Sequence, residues 1–318
     1  MKILLSIVGL LCFATCATGE NKKPRLGMWS WEQLSFETEI ARNEMLNFCQ
    51  QEEISHIDQH IRIKDGAIEN ADAFQQLIVQ ASKRNISINA LRGDKEMFFA
   101  DNHQGTLADL KIVVGFNAAL TKDARLLGIK YDVEPYLTPQ WKADDTSREK
   151  VMLDYLQFLV KANLFLKENA TDFELAVDVP FWWDEPAYKV TFAGDHKPFV
   201  NHILDAVAWT GIMAYRRDPD ATIKLVSDEL RYVKNIGRLN SISPALETEK
   251  GLGEHAEVSF AGVPTEEFRI AIESLRRRYT GDRHVRFIML HHYESLRGYL
   301  KSPADKSKQR ISPPAVVD

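Results

Sequence analysis

Eight short apolar runs, spaced along the chain with helical patterns between many of them, set the strongest limit on how it can fold. Each run has the length and composition of a buried strand and ends at its C-terminal side in polar or aromatic residues. The predicted strands cover residues 26–31, 54–61, 86–92, 128–134, 173–179, 206–215, 241–247 and 285–291. Apolar residues at helical spacing predict helices over residues 36–51, 71–84, 147–169, 221–237 and 265–279.

Strands that alternate with helices pair in parallel through right-handed crossovers. Eight such units match a single (β/α)8 barrel of the TIM type, which we predict over residues 24–300. A doubly wound open sheet is the alternative, but Trp29-Ser30-Trp31-Glu32 stands where that fold would have a Gly-rich phosphate turn. In a barrel, the C-terminal ends of the strands form the active site. Those ends are therefore where functional residues are expected.

The two ends of the chain differ from the predicted barrel in composition. Residues 1–19 contain Lys2, an apolar stretch and then small residues, the pattern of a secretory signal peptide too short to span a membrane. A secreted or periplasmic protein is predicted, with lipid attachment at Cys16 as an alternative. Residues 301–318 are rich in Lys, Ser and Pro and predict a disordered tail. No later stretch has the length and hydropathy of a membrane span.

Charge and cysteine content exclude several classes of function. The formal net charge is −5, and loss of the signal with Lys2 makes it −6, which disfavours a nucleic-acid surface. Outside the signal Cys49 stands alone, so a disulfide framework is excluded. The sequence has no Gly-rich phosphate loop, nucleophile elbow or paired Cys-x-x-Cys, so no cofactor is predicted.

Two carboxylates end the fourth predicted strand. Asp132 and Glu134 are two residues apart, and alternate residues of a strand share a face. Carboxyl groups held close together have pKa values that differ, which keeps one group protonated at neutral pH. Pro135 follows directly and favours extended geometry at Glu134. The pair is the strongest candidate for acid–base chemistry in the sequence.

Aromatic and charged residues dominate the other strand ends. Sugars present flat apolar faces ringed by hydroxyls, so indole platforms combined with acids are typical of a sugar site. Of Trp182 and Trp183, which are consecutive, one is expected to form a platform and the other to pack against a loop. The predicted substrate-binding residues are Trp29, Trp31, Asp58, His60, Arg92, Asp178, Trp182, Trp183, Arg216, Glu249, His291, His292 and Tyr293.

Two short motifs resemble the chitinase-like family 18 glycoside hydrolases. Residues 128–134 are similar to the end of that family's fourth-strand signature, Asp-Gly-x-Asp-x-Asp-x-Glu, and residues 213–215 to its sixth-strand Met-x-Tyr-Asp. The resemblance implies that Glu134 is the general acid and that Asp132 and Tyr215 bind a substrate N-acetyl group. The chain departs from the signature in having Leu127 and Lys130 at its first two Asp positions. It also has Arg216 after the tyrosine and histidines at the end of the eighth strand, where the family has Asp and usually Trp.

Other mechanisms remain open at this point. A retaining glycosidase would pair Glu134 with Glu247 as nucleophile, at a carboxyl separation of about 5 Å. A metal-dependent hydrolase would use Asp58, His60 and His291 as ligands. The preferred interpretation has no metal: His56 is a hydrogen-bonded histidine of the core, and the other three are polar residues of the site. Arg216 would bind an anionic group on the sugar or neutralise Asp132, Glu134 or Glu247.

The sequence thus predicts a secreted glycosidase-like enzyme that acts on an oligosaccharide or polysaccharide. The alternatives are a non-catalytic carbohydrate-binding barrel and the metal-dependent hydrolase. Glu134 is the proton donor in both of the glycosidase mechanisms considered.

Overall fold

A computed structural model describes residues 22–301 of the chain. The predicted signal segment over residues 1–19 lies outside the described residues, as does the predicted tail apart from Lys301. Within residues 22–301, no helix combines the length and the hydropathy needed to cross a bilayer.

Eight parallel strands close into a barrel in which each strand pairs with its neighbours in the sequence. The first and last strands complete the ring, with Arg25 opposite Phe287 and Met28 opposite Leu290. The predicted (β/α)8 barrel is confirmed. The barrel strands are β1 (Arg25–Ser30), β2 (Ile54–His60), β3 (Ser87–Arg92), β4 (Gly128–Asp132), β5 (Glu174–Pro180), β6 (Trp209–Met213), β7 (Ile242–Glu247) and β8 (Phe287–His291).

The helices surround the barrel, and their apolar faces pack against the outside of the strands. Side chains of Thr38 and Asp144 cap two of them by accepting backbone N–H groups. Two short antiparallel hairpins, Ile63–Lys64 with Ala67–Ile68 and Lys189–Phe192 with Asp195–Pro198, follow β2 and β5. The α-helices are Leu34–Glu37, Glu39–Gln51, Ala71–Ser82, His103–Ala119, Pro139–Ala143, Asp145–Asn169, Phe199–Ala206, Pro219–Leu225, Ser227–Asn235, Thr265–Arg278 and Tyr293–Leu300.

Several predicted elements differ in extent from the observed ones, among them the fourth strand and the helix after β6. The fourth strand ends at Asp132, two residues early, because Pro135 begins a 3-10 turn over Pro135–Leu137. Glu134 therefore has φ −107° and ψ 67° and is not extended, contrary to the expectation from its position before proline. The helix predicted over residues 221–237 is divided at Val226, which is fully buried and has φ −99° and ψ 7°.

The inside of the barrel is unusually polar. A TIM barrel is normally filled by layers of branched apolar side chains. Here Trp29, Trp209 and Phe287 share the interior with charged and amide side chains. The buried polar residues that β2 to β5 direct into it are His56, Asp58, Asn89, Lys130 and Asp178, each at most 1% exposed. Burying charges is costly unless they are paired, so these groups must bind one another.

Candidate active site

A buried lysine connects the carboxylates of three strands. Lys130 on β4 places its Nζ 2.8 Å from Asp58 Oδ2 and 2.8 Å from Asp178 Oδ1. The same Nζ lies 4.3 Å from the ring centroids of both Trp29 and Trp209. Ion pairing and the two indole faces together replace the water that the ammonium group loses on burial.

The two partners of Lys130 differ in electrostatic environment. Burial tends to raise the pKa of Asp58, but Lys130 and His56 outweigh it and lower the pKa to about 2. At Asp178, burial and the charge of Asp58 prevail over Lys130 and raise the pKa to about 6. Asp178 Oδ2 accepts a hydrogen bond from Trp29 Nε1 at 2.9 Å. A Cβ at Gly211 would lie 2.1 Å from Asp178 Oδ1, so glycine leaves the room that this pair needs.

The candidate acid pair lies at the C-terminal end of β4, next to this network. Burial raises the pKa of Asp132 well above its usual range, and the negative charges of Asp178 and Glu134 add to the effect. Burial also raises the pKa of Glu134, against a hydrogen bond from Tyr136 and the charge of His291. Both shifts favour the protonated forms of these carboxyl groups over the ionised ones. The site can therefore supply a proton.

Tyr136 links the acid pair to an aromatic surface after β5. Its ring meets Trp182 edge-on at 5.3 Å, and Trp182 also contacts Tyr188 at 4.8 Å. Trp182 is partly exposed, whereas Trp183 is fully buried among Trp141, Tyr155 and Phe199. The two consecutive tryptophans thus have different environments.

The ends of β6, β7 and β8 form the opposite side of the site. The Tyr215 ring lies 5.9 Å from that of His291. Burial raises the pKa of Tyr215, as do the charges of Glu247, Asp132, Asp178 and Glu134, so its hydroxyl remains protonated. His291 Nδ1 is 2.7 Å from Glu247 Oε2, and Oε1 of Glu247 accepts the backbone N–H groups of Thr248 and Glu249 at 2.7 Å each. Both oxygens of the Glu247 carboxylate are therefore hydrogen-bonded, and the residue is only 3% exposed.

Trp31 connects the two sides at the mouth of the barrel. Its Nε1 donates to His291 Nε2 at 3.3 Å, and its ring packs at 5.4 Å from that of His60. A Cβ at Gly93 would lie 3.2 Å from the edge of the Trp31 ring. Trp31 remains partly exposed. It is therefore the indole of β1 that is placed to meet a ligand, since Trp29 is buried below it.

Only some of the other predicted site residues lie at the mouth of the barrel. His60 Nδ1 is 3.0 Å from the carbonyl oxygen of Trp31, so His60 belongs to the mouth. Arg92 is engaged below it, donating to Asp109 Oδ2 at 2.6 Å and to the carbonyl of Ile61 at 3.1 Å.

Asp58, Trp183 and Tyr293 do not line the mouth. Asp58 is inside the barrel and Trp183 is in the outer core, both fully buried. Tyr293 is 3% exposed and packs edge-on against Phe48 of a surrounding helix, because it begins the helix after β8. The alternative metal set of Asp58, His60 and His291 is consequently not assembled.

Arg216, Glu249 and His292 are partly buried at the rim. The Arg216 guanidinium carbon lies 5.1 Å from the Phe181 ring centroid, and Nη1 donates to the carbonyl of Tyr215 at 2.6 Å. Among residues 22–253, 255 and 257–301, Arg216 forms no salt bridge with a carboxylate. His292 and Glu249 lie beside His291, each partly buried.

Sequence reasoning missed two members of the site. Lys130 was noted only as a departure from a motif, although a lysine inside a buried strand signals paired carboxylates nearby. Tyr136 follows Glu134 by two residues, and an aromatic residue so close to a candidate acid was the available signal.

Comparison with known proteins shows similarity at the level of fold. No protein-family model matches the sequence, and no curated protein sequence matches it. Among solved structures, a chitinase from Bacteroides thetaiotaomicron superimposes with a TM-score of 0.52 at 13% identity, covering 86% of this chain and 91% of that one. A β-glucosidase from Thermotoga maritima in complex with deoxynojirimycin gives a TM-score of 0.52 at 11% identity, covering 85% and 89%.

A spore cortex-lytic enzyme from Bacillus cereus gives a TM-score of 0.50 at 10% identity, covering 86% of this chain and 72% of that one. The chain therefore has a TIM barrel distantly similar to those of glycoside hydrolases. Identities this low establish the fold and leave the chemistry to the residues of the site.

Proposed function

We propose that this protein is a secreted glycoside hydrolase in which Glu134 is the general acid and Asp132 its partner. The observation that supports this most is the pair itself. Two carboxyl groups with raised pKa values lie at the C-terminal end of a barrel strand, next to the buried Asp178. Cleavage of a glycosidic bond requires a carboxylic acid that remains protonated at working pH and donates to the leaving oxygen.

Tyr136 and Tyr215 are proposed to complete the acid–base group. Tyr136 donates a hydrogen bond to Glu134, which orients the carboxyl and stabilises the carboxylate formed after proton transfer. Tyr215 keeps its proton beside four carboxyl groups and is available as a donor to a substrate oxygen. Asp132 would share a proton with Glu134 and orient a substituent next to the reacting carbon, the role that its motif implies.

Glu247 is better suited to position His291 than to attack a sugar. Its two oxygens accept three hydrogen bonds, and its side chain is almost fully buried. A nucleophile needs a free lone pair directed at the anomeric carbon. Of the two glycosidase plans, the geometry therefore favours the one based on Asp132, Glu134 and Tyr215.

An oligosaccharide or polysaccharide is the proposed substrate. Trp31 and Trp182 are partly exposed indoles on two sides of the acid pair, and indole faces stack on the apolar faces of sugar rings. Export, proposed from residues 1–19, would place the enzyme where polysaccharides are found.

Activity screening tests the proposal. The purified protein would be incubated with a panel of neutral, N-acetylated and acidic polysaccharides, with new reducing ends as the readout. Glu134→Gln keeps the shape of the side chain and removes its acid. Glu149→Gln, on the exposed face of the helix Asp145–Asn169, is the matched control.

We expect at least one substrate to be cleaved by the wild type and the control, and not by Glu134→Gln. Binding of a polysaccharide without release of reducing ends by any of the three proteins would instead support the non-catalytic carbohydrate-binding barrel.

A further inference from the structure

A second group of side chains lies at the rim, after the ends of β7 and β8. Glu249, His291 and His292 each place one potential ligand atom within 4.8 Å of the others, and all three are partly buried. Among residues 22–253, 255 and 257–301, these three are the histidine, cysteine and acidic residues that have the spacing of metal ligands. We propose that these three residues form a binding site for a first-row divalent transition metal such as Zn²⁺.

Both imidazoles are oriented as in metal-bound histidines. His291 Nδ1 is 2.7 Å from Glu247 Oε2, and His292 Nδ1 is 2.6 Å from Glu294 Oε2. An ionised carboxylate only accepts hydrogen bonds, so each Nδ1 carries a proton and each Nε2 is the ring atom left for a metal; the Nε2 of His291 already acts as an acceptor, from Trp31. A carboxylate behind the imidazole is the usual support of a histidine ligand, because it fixes the ring and raises its basicity.

The supporting carboxylates are themselves held in place. Glu247 accepts the backbone N–H groups of Thr248 and Glu249. Glu294 accepts the backbone N–H of Glu32 at 3.1 Å and the hydroxyl of Ser35 at 3.0 Å. Two separate anchors therefore fix the two imidazoles at adjacent positions of the chain. Such pre-organisation lowers the cost of gathering ligands around an ion.

Glu249 supplies a third ligand of suitable type. The backbone N–H of Glu249 donates to Glu247 Oε1. Within the described part of the chain, the Glu249 carboxylate forms no hydrogen bond or salt bridge. Ligand bonds of about 2.1 Å in a tetrahedral zinc site put ligand atoms roughly 3.4 Å apart, so atoms now within 4.8 Å of one another would have to approach by at most about 1.4 Å. Partly exposed side chains can make that adjustment through small χ rotations.

Trp31 would compete with a metal ion for the Nε2 atom of His291. Its Nε1 donates to His291 Nε2 at 3.3 Å, longer than the usual N–H donor distance of about 2.9–3.0 Å. A metal on the same atom would displace this weak bond and turn the indole aside. The geometry thus predicts that removing the indole N–H strengthens metal binding.

The donor set selects the type of ion. Two imidazoles and one carboxylate favour zinc and its neighbours over calcium and magnesium, which prefer oxygen ligands. Three protein ligands also leave a coordination position for an oxygen donor from a bound molecule. The inference concerns metal binding alone and holds whether or not Glu134 cleaves a glycoside.

Isothermal titration calorimetry on the full-length protein, without a polyhistidine tag and after chelator treatment, tests the site. We expect one equivalent of Zn²⁺ to bind to the wild type, and no comparable heat with Ca²⁺ or Mg²⁺. Glu249→Gln and His292→Ala should each weaken Zn²⁺ binding at least about tenfold, since loss of even a supporting residue costs about 10–100-fold. Trp31→Phe should bind Zn²⁺ more tightly than the wild type.

His284→Ala is the matched control. His284 Nδ1 is 3.0 Å from Asp282 Oδ1 and its side chain is 21% exposed, close to the 18% of His291, but no third ligand accompanies it. This variant should bind Zn²⁺ as the wild type does. Thermal unfolding with and without Zn²⁺ gives a second readout, because an ion that binds the folded state raises its Tm. The Tm should rise equally in the wild type and in His284→Ala, and should rise less in Glu249→Gln.

Equal Zn²⁺ affinity in the wild type, Glu249→Gln and His292→Ala would overturn the assignment, as would an absence of binding to the wild type at millimolar Zn²⁺. Neither result bears on the activity screen with Glu134→Gln, so the two proposals fail separately.

Discussion

The Nζ atom of Lys130 lies 2.8 Å from Oδ1 of Asp178, inside the barrel and beneath the candidate acid pair. Burial tends to lower the pKa of Lys130, but Asp178 and Asp58 outweigh it and raise the pKa, so the ammonium group stays charged. A lysine thus occupies a position where the similar motif has an aspartate. It places a fixed positive charge below the carboxyl groups that are proposed to carry out the chemistry.

Lys130→Met is expected to destabilise the fold strongly. The change leaves the buried carboxylates of Asp58 and Asp178 without their cation, and removing one partner of a buried charge group costs about 3–5 kcal/mol. Urea unfolding at pH 7 measures the loss. Lys23→Met is the control, because Lys23 pairs with Glu273 at the surface, with about half of each side chain exposed. That pair is expected to contribute about 0–1 kcal/mol.

Asp58→Asn in the Lys130→Met background should recover part of the lost stability, because it removes one of the two uncompensated charges. A single Lys130→Met variant within about 1 kcal/mol of the wild type would show that the interior network does not stabilise the barrel as described.

Tyr136→Phe is expected to move the alkaline limb of the pH–activity profile to higher pH. Burial raises the pKa of Glu134, and the hydrogen bond from Tyr136 and the charge of His291 oppose that rise. Loss of the hydroxyl therefore raises the pKa further. If Glu134 acts as the proposed general acid, its protonated form is the active one and activity should persist to higher pH, as measured by kcat/KM against pH.

Tyr188→Phe is the matched control for Tyr136, since Tyr188 contacts the other side of Trp182. Its profile should equal that of the wild type. An alkaline limb that stays in place or moves to lower pH in Tyr136→Phe would contradict the assigned hydrogen bond.

Arg216→Ala is expected to weaken the binding of acidic oligosaccharides more than that of neutral ones. The guanidinium packs on Phe181 and bonds only a carbonyl among its described hydrogen bonds, so its charge remains available to a ligand. Binding followed by tryptophan fluorescence should show a loss of at least about tenfold for acidic ligands, the range of a charged hydrogen bond. Arg231→Ala, on the exposed face of the helix Ser227–Asn235, controls for net charge. Equal losses for acidic and neutral ligands would exclude anion recognition.

Periodicity in the sequence was sufficient to predict the barrel, because eight apolar runs of strand length leave few other ways to bury them. The acid pair could be located for the same reason, since Asp132 directly ends one of those runs. The buried network could not be predicted. Lys130 binds Asp58, 72 positions earlier, and only closure of the barrel brings them together.

The tryptophan pair shows a second limit. Trp182 and Trp183 lie in the 3-10 turn Phe181–Asp184, where strand alternation no longer decides which side chain faces the core. Packing decides it, and Trp183 fills the space between Trp141 and Phe199.

Leaving-group dependence tests the role of Glu134 most directly. On an active substrate, Glu134→Gln should lower kcat by about 10²–10⁴ for a natural glycoside, whose leaving oxygen needs a proton. The loss should be much smaller for the corresponding aryl glycoside with a dinitrophenyl leaving group, which departs without protonation. The basic limb of the pH profile should disappear in the same variant. If Glu134→Gln slows both substrates equally, or retains near wild-type turnover of the natural glycoside, Glu134 is not the general acid.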